Sequence, residues 1–193
     1  MSERLERWRT GGRPPSGGVL DAVRRRRSRS AVTPEAPTHE ELLPLVQAAG
    51  RVADHGSLRP WRLIEIRGDA RYELGRALGQ AAGKGEASDK PLRASLLIAV
   101  VASRVPSGKA PVWEQDATAA GVAHVLSLLL DDAGWGVFWR TGEHTRSAPV
   151  RRVHGLRDGE ELLGWLYVGG VRPTDVDGRD KRPIAPADFL SVL

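Results

Sequence analysis

Leu96-Leu97-Ile98-Ala99-Val100-Val101-Ala102 is a run without a single polar side chain. A run this short, flanked by polar residues, reads as a strand buried on both faces, the interior position of a sheet. Its neighbours read as the elements that cover it. Downstream, Pro111 opens a long helix that ends near Asp132 and is closed by Gly134. Within it Ala117–Leu130 is nearly apolar but holds Thr118, His124 and Ser127, too short and too polar to cross a bilayer, and it reads as a core helix. Trp135 to Trp139 reads as a short strand, Ala148 to His154 as a helix and Leu162 to Val168 as a last strand. Upstream, Trp61 to Arg67 alternates as a strand, Asp69 is expected to cap a helix to about Ala82, and Gly83 to Asp89 is a polar loop. Thr38 with Glu41 three residues on forms a capping-box pattern ahead of Leu42, Leu43, Leu45, Val46 and Ala49 at helical spacing. Pro44 falls in the first turns, where a missing donor does least harm. No internal repeat is present. The sum is one mixed α/β domain with a long central helix.

Composition bounds the function classes. The 193 residues suit one domain, or one domain with an appendage. Zero Cys excludes a disulfide scaffold, a Cys-ligated zinc site, an iron–sulfur cluster and thiol catalysis. The net charge of +5 is unevenly placed: residues 1–29 hold nine Arg against Glu3, Glu6 and Asp21, leaving 20 basic and 21 acidic residues for the rest. The basicity therefore belongs to an arm, and the high pI does not mark a nucleic-acid-binding face. Residues 1–18, ending in Gly11-Gly12-Arg13-Pro14-Pro15-Ser16-Gly17-Gly18, cannot bury enough apolar surface to offset their ordering entropy. They are expected to be a flexible extension, with residues 19–193 as the folded domain. With no apolar leader in view, the expectation is a soluble, cytoplasmic protein.

Generic motif screens fail. Gly79-Gln80-Ala81-Ala82-Gly83-Lys84-Gly85 has one residue too few between its glycines, and no hydroxyl after the Lys, for a phosphate loop. Gly134-Trp135-Gly136 lacks the third Gly of a dinucleotide fingerprint and follows a helix where a strand should stand. The five His show no paired or carboxylate spacing suited to zinc, so no metal site is expected. Asp54-His55-Gly56-Ser57 contains three triad residue types, but contiguous side chains cannot reach one another as a triad does; turn chemistry is the better reading.

Three constellations carry chemistry. Arg26-Arg27-Ser28 offers guanidinium forks and a hydroxyl at a helix end, a combination suited to a phosphate monoester, though a basic run on a solvated surface has the same composition. Arg51, Asp54, His55 and Ser57 lead into Pro60-Trp61, a polar loop placed before a strand, which reads equally as a capped turn. Trp139-Arg140-Thr141-Gly142 places a second Arg and hydroxyl after an apolar strand, where the charge must find an anion or water. Two such Arg/hydroxyl clusters could converge on one phosphate while loop residues flank a ring.

In their order and spacing these segments resemble the nitroreductase family of FMN-dependent oxidoreductases, especially its small NAD(P)H nitroreductase branch. The segments are Arg26-Arg27-Ser28; Ala36-Pro37-Thr38; Arg51-Val52-Ala53-Asp54-His55 with Pro60-Trp61; Trp113-Glu114-Gln115; Gly134-Trp135-Gly136 with Trp139-Arg140-Thr141; and Leu163-Gly164-Trp165-Leu166-Tyr167-Val168-Gly169. The resemblance covers roughly residues 22 to 170.

The resemblance implies an α+β fold, a central, mostly antiparallel sheet flanked by helices, in an intertwined homodimer with two FMN sites at the subunit interface. By it, Arg26 and Ser28 hold the FMN phosphate, Arg27 reaches the ribityl chain or ring edge, and Arg140 with Trp139 and Thr141 completes the phosphate site. Arg51 and His55 reach the flavin from the partner subunit. Leu129, Leu130, Asp131, Asp132, Ala133 and Gly134 lie where NAD(P)H docks as co-substrate. Hydride passes through flavin N5 to an electron-poor small molecule, a nitroaromatic, a quinone or similar, by a ping-pong route, so no protein nucleophile is needed. Position 53 is Ala where the family often has Pro, and position 59 is Arg where a neutral amide is common. Relatives of other flavin chemistry (dehalogenation, enal reduction, azoline oxidation) are the alternative within enzymes. A polyanion-binding protein acting through the Arg-rich arm is the alternative outside them; nucleic-acid contact is expected to be weak and confined to that arm.

Overall fold

The structure, a computed structural model, describes residues 18–175 and 184–193. The apolar run lies in β2 (Leu96–Ser103), and Leu96 to Ala102 are all buried, as a strand covered on both faces requires. β1 (Trp61–Ile66) pairs with one side of β2 and β4 (Glu160–Gly170) with the other; β3 (Trp135–Arg140) then pairs with β4. All three pairings are antiparallel, in the order β1-β2-β4-β3, so β1 and β3 are the edges.

Helices cover both faces. Ile98, Val100, Leu166 and Val168 meet Val122, Leu126 and Leu130 of α4 (Val112–Asp132) and Leu42 and Leu45 of α2 (His39–Ala49). On the other face Leu97, Ala99, Val101 and Trp165 meet Leu74, Ala77 and Leu78 of α3 (Ala70–Ala81) and Val150 of α5 (Ala148–Val153). β4 carries Leu166 on one face and Trp165 on the other, the period-two alternation of an interior strand.

Local signals explain most element ends. The Thr38/Glu41 capping box forms, with Glu41 N–H on Thr38 Oγ1 and the Glu41 carboxylate on Thr38 N–H. Pro111 stands at the N-cap of α4, and Gly134 follows its end with φ 93°, a conformation only Gly adopts without strain. Asp69 does not cap as expected. It has helical dihedrals and its side chain makes no capping bond, so the first turn already includes its backbone. The first described helix, α1 (Val19–Arg25), stops short of Arg26. The chain then extends along the outer edge of β3, where Ser28 forms a parallel bridge with Val137 and Arg29 N–H donates to Val137 O at 2.8 Å.

An ion pair and a pair of glycines fix the remaining loops. Glu160, 3% exposed, accepts a two-pronged contact from Arg62 at 2.7 and 2.8 Å, with Ser103 Oγ at 3.0 Å and Arg157 Nη2 at 2.8 Å. Arg62 chiefly, then Arg157 and Ser103, outweigh desolvation and hold its carboxyl far below the ordinary carboxylate range. On α3, Gly75 and Gly79 lie against the backbone of residues 86–88: a Cβ on Gly75 would stand 2.6 Å from Ser88 O, and one on Gly79 2.1 Å from Glu86 O. Among the described residues no helix is long and apolar enough to cross a membrane. The expected extension, residues 1–18, lies outside the described residues apart from Gly18.

Candidate functional site

A strand sends successive side chains to opposite faces, and β3 does so at its end. Trp139 turns to the α4 face, where His124 meets its ring edge-on at 4.9 Å. Arg140 turns to the α3 face, its guanidinium 4.5 Å from the Phe138 ring centre and 5.2 Å from that of Tyr167. Among the described residues its buried Nε has no hydrogen-bond partner, and no carboxylate pairs with its guanidinium. Burial pushes the Tyr167 hydroxyl above its ordinary pKa, with the Arg140 charge pulling the other way.

Arg140 borders a cleft of about 530 Å³, with Phe138, Trp165 and Tyr167 as its aromatic wall and Lys90, Thr141 and His144 toward its polar side. A second cavity of about 720 Å³ shares Lys90, Glu143 and His144 and continues beneath the strap of residues 84–89. The indole of Trp165 is fixed from behind: its Nε1–H donates to His154 Nε2 at 2.9 Å, and His154 Nδ1 in turn contacts Val150 O at 2.8 Å. Since indole can only donate, His154 Nε2 must be unprotonated, and burial holds the ring below its ordinary pKa.

The first predicted cluster reaches the same edge strand. Ser28 is bridged to Val137, beside the Phe138 over which Arg140 folds, so the Arg26–Ser28 segment runs along the same edge strand that ends in Trp139–Arg140. Arg27 lies differently from the expected pose toward a ring: its Nη1 donates to the carbonyls of Arg24, Arg25 and Arg26 at 2.6 to 3.2 Å, at the C-terminal end of α1. Arg27 N–H also reaches Asp131 Oδ1 at 3.4 Å, and Arg25 pairs with Asp132 at 3.3 Å.

The segment expected to meet NAD(P)H is therefore partly committed to the fold. Leu130 is fully buried and Ala133 nearly so, which leaves their side chains no surface for a nucleotide. Asp131 and Asp132 face the N-terminal arginines, and burial raises the Asp131 carboxyl against the pull of Arg27 N–H, Arg29 and Arg26. Leu129 is half-buried and Gly134 supplies the left-handed turn into β3.

Arg51 and His55 are held at the other end of α4. Asp54 closes their loop by accepting from Leu58 N–H at 3.2 Å and Arg59 N–H at 2.7 Å, the turn chemistry expected of this segment. Gly56, Ser57 and Arg59 all take positive φ there. Thr118 of α4 donates to Ala53 O at 3.3 Å, and His55 Nδ1 lies 2.8 Å from Glu114 Oε2. Arg51 is exposed just after α2. From Glu114 to Asp131 a helix rises about 25 Å, so within one chain the Arg51/His55 loop and the Arg26–Ser28 arm are not brought together.

Sequence reasoning did not single out Lys90, His144 or the structural part of Gln115. Lys90 and His144 come from two short 3-10 turns, Lys90–Arg93 and Glu143–Arg146, that only the tertiary fold brings to Arg140. Gln115 accepts from Val105 N–H and donates to Val105 O and Ala110 O, clamping the loop ahead of α4. Its position inside Trp113-Glu114-Gln115 was the available signal.

Comparison with known proteins gives one answer. A family model described as "Nitroreductase family" matches residues 23–170. The Escherichia coli K12 protein YdjA, named an NAD(P)H nitroreductase, is 34% identical over 159 residues, 78% of this chain and 87% of YdjA. A similarly named Haemophilus influenzae protein is 27% identical over 185 residues, 91% of this chain and 99% of its own. The solved structure of a nitroreductase-like family protein from Bacillus cereus superposes with a TM-score of 0.78 at 18% identity, covering 94% of this chain and 99% of that one. The FMN and NADPH-dependent nitroreductase NfnB of Sphigopyxis sp. strain HMH gives a TM-score of 0.70 at 17% identity, over 92% and 99% of the two chains.

Proposed function

The chain belongs to the nitroreductase family, and from that premise we propose that it is a cytoplasmic, homodimeric oxidoreductase that holds FMN and moves hydride from NAD(P)H to an electron-poor small molecule such as a nitroaromatic or a quinone. One observation carries the reading to this chain's own residues. Among the described residues Arg140 keeps a buried Nε without a partner, beside an aromatic-walled cleft that a second cation, Lys90, also lines. A buried donor of this kind is costly unless a ligand completes it, and about 530 Å³ falls in the range of about 300–1,000 Å³ usual for small-molecule and cofactor clefts. The donor set therefore fits a flat aromatic group bearing anionic oxygens.

Bound flavin supplies the hydride chemistry, accepting and returning two electrons at N5. The protein's share is position and charge. Arg26 and Ser28 would hold the phosphate beside β3, Arg140 and Thr141 with Trp139 would complete the grip, and Arg27 would serve the ribityl chain or ring edge in exchange for its helix-end carbonyls. Lys90, which lines the same cleft as Arg140, would add positive charge beside the bound anion. The partner subunit's Arg51 and the partner's His55 close the site, because the length of α4 keeps each chain's own loop away from its own Arg26–Ser28 arm. Trp113, 67% exposed on the first turn of α4, and the exposed Val112 beside it give a second copy an apolar surface to cover. NAD(P)H and then the acceptor occupy one open place in turn, which gives ping-pong kinetics; the nicotinamide nucleotide docks near Leu129–Gly134 through backbone and the half-exposed positions.

The test is the visible spectrum of the purified protein. The expected result is a yellow protein with one FMN per subunit that bleaches on adding NADPH under anaerobic conditions and recolours with a quinone. A colourless protein that does not take up added FMN would overturn the reading.

A further inference from the structure

We infer that Glu114 is the positioning residue for His55, fixing which ring nitrogen His55 presents to the flavin site. The inference rests on the proposed function for what His55 faces, and on geometry alone for how His55 is held.

Glu114 lies in the first turn of α4, where a carboxylate is favoured by the unpaired N–H groups of the helix start. Its Oε2 stands 2.8 Å from His55 Nδ1, and the pair is graded in exposure, 28% for the Glu114 side chain against 53% for His55. The carboxylate is the inner member and the ring the outer one.

The backbone beneath both partners is fixed. Thr118 Oγ1 bonds Glu114 O at 3.1 Å and Ala53 O at 3.3 Å, tying the helix start to the residue two before His55. Val52 packs on Gly121, within 4 Å of where a Cβ would stand. Asp54 closes the other side of His55 through Leu58 and Arg59 N–H. His55 therefore has little freedom but its own side-chain rotation, and Glu114 removes that.

An ionised carboxylate has only acceptors, so the nitrogen facing it must carry a proton. The contact therefore selects the Nδ1–H form of the ring and leaves Nε2 as the nitrogen that faces away from Glu114. In that tautomer Nε2 is an acceptor. No other tautomer is compatible with the contact. A residue that must meet a cofactor edge from a neighbouring subunit gains by having one ring nitrogen tied to its own chain and the other left to present.

The test uses the full chain with and without added FMN. Histidine side-chain nitrogen NMR, with His55→Gln identifying the signal, is compared between wild type, Glu114→Gln and Glu114→Ala. FMN affinity is measured for each and for Glu114→Ala/His55→Gln. Expected are an Nδ1–H tautomer in wild type, mixed tautomers in Glu114→Gln (an amide both donates and accepts), and FMN binding weakened about three- to tenfold in Glu114→Ala. The double variant should bind no more weakly than His55→Gln alone, since Glu114 acts only through His55. An unchanged tautomer in both Glu114 variants overturns the inference, as does a Glu114→Ala loss that adds fully to that of His55→Gln. If wild type takes up no FMN, the functional reading fails, while the NMR arm still decides whether Glu114 sets the tautomer.

Discussion

Arg62 and Arg140 occupy the two edge strands of one sheet, β1 and β3, and both stand on the face that α3 and α5 cover. Arg62 meets Glu160 in a two-pronged ion pair with every oxygen of the carboxylate further satisfied by Ser103 or Arg157. Arg140 meets two aromatic rings and no carboxylate among the described residues. The same side chain thus serves two purposes at opposite edges. At β1 its charge is consumed by the fold, which pins the start of β4 to β1 across β2. At β3 no carboxylate among the described residues takes the charge up, and a buried Nε without a partner leaves a donor for a ligand.

Mutation should separate the two. Arg62→Ala strands most of a buried carboxylate and is expected to lower unfolding free energy by about 3 kcal/mol, read from denaturant midpoints, with FMN affinity of the folded protein unchanged. Its pH dependence gives a second readout. Glu160 has a folded pKa below its ordinary value of 4.5, so its contribution is full above that pH and is lost as pH falls below it. Arg62→Ala should flatten this acid limb; an equal slope in both proteins would mean that the pair does not hold β1 to β4.

Arg140→Ala should give the reverse pattern. FMN binding weakens about ten- to a hundredfold, the value of a charge-assisted contact of about 1.5–3 kcal/mol, while the unfolding midpoint of the FMN-free protein hardly moves. Equal affinity in mutant and wild type would place Arg140 with Arg62, as a residue of the fold alone.

His154 sharpens the contrast from behind the cleft. Its folded pKa is below the ordinary 6.5, so the unfolded chain takes up a proton first and stability should drop as pH falls through that value. The slope from this one group is at most about 1.4 kcal/mol per pH unit, and His154→Phe should remove it in thermal unfolding series between about pH 5 and 8. A slope unaltered by His154→Phe would assign the dependence elsewhere.

The smallest effect is expected at Lys90. It is exposed at the rim, so Lys90→Gln should cost FMN binding about 0.5 kcal/mol at low salt and less at high salt. A loss as large as that of Arg140→Ala would show Lys90 to be buried by the ligand rather than skirting it.

How much of this could be read from the chain depends on the range of the forces involved. β2, α4 and the Thr38/Glu41 cap are written in consecutive residues, and the structure repeats them. Asp69 misled because a capping residue and a first-turn residue have the same composition and differ only in backbone angles. The arginine clusters were visible as residue types, yet nothing local distinguishes Arg140, with no carboxylate, from Arg62, whose Glu160 lies 98 positions away. The cleft residues Lys90 and His144 were invisible for the same reason. His55 stood out in the sequence, but its partner Glu114 is 59 positions distant and only the packing of the loop on α4 makes them neighbours.

The paired glycines of α3 set the scale of the cleft by subtraction. A glycine inside a helix sacrifices about 1 kcal/mol of helix propensity relative to alanine, and α3 carries two on one side. In return the strap of residues 86–88 settles into the missing side-chain volume, with Ser88 N–H on Gly75 O at 2.9 Å and Lys84 N–H on Gly79 O at 3.0 Å. Lys90 hangs from the end of that strap. Two methyl groups would push the strap outward and carry Lys90 with it, so the distance across the cavity is a mould cast from atoms the protein does without. The size of what this cleft admits then answers to Gly75 and Gly79 as well as to its aromatic wall, and a library varied only at that wall would leave the strap's seat untouched.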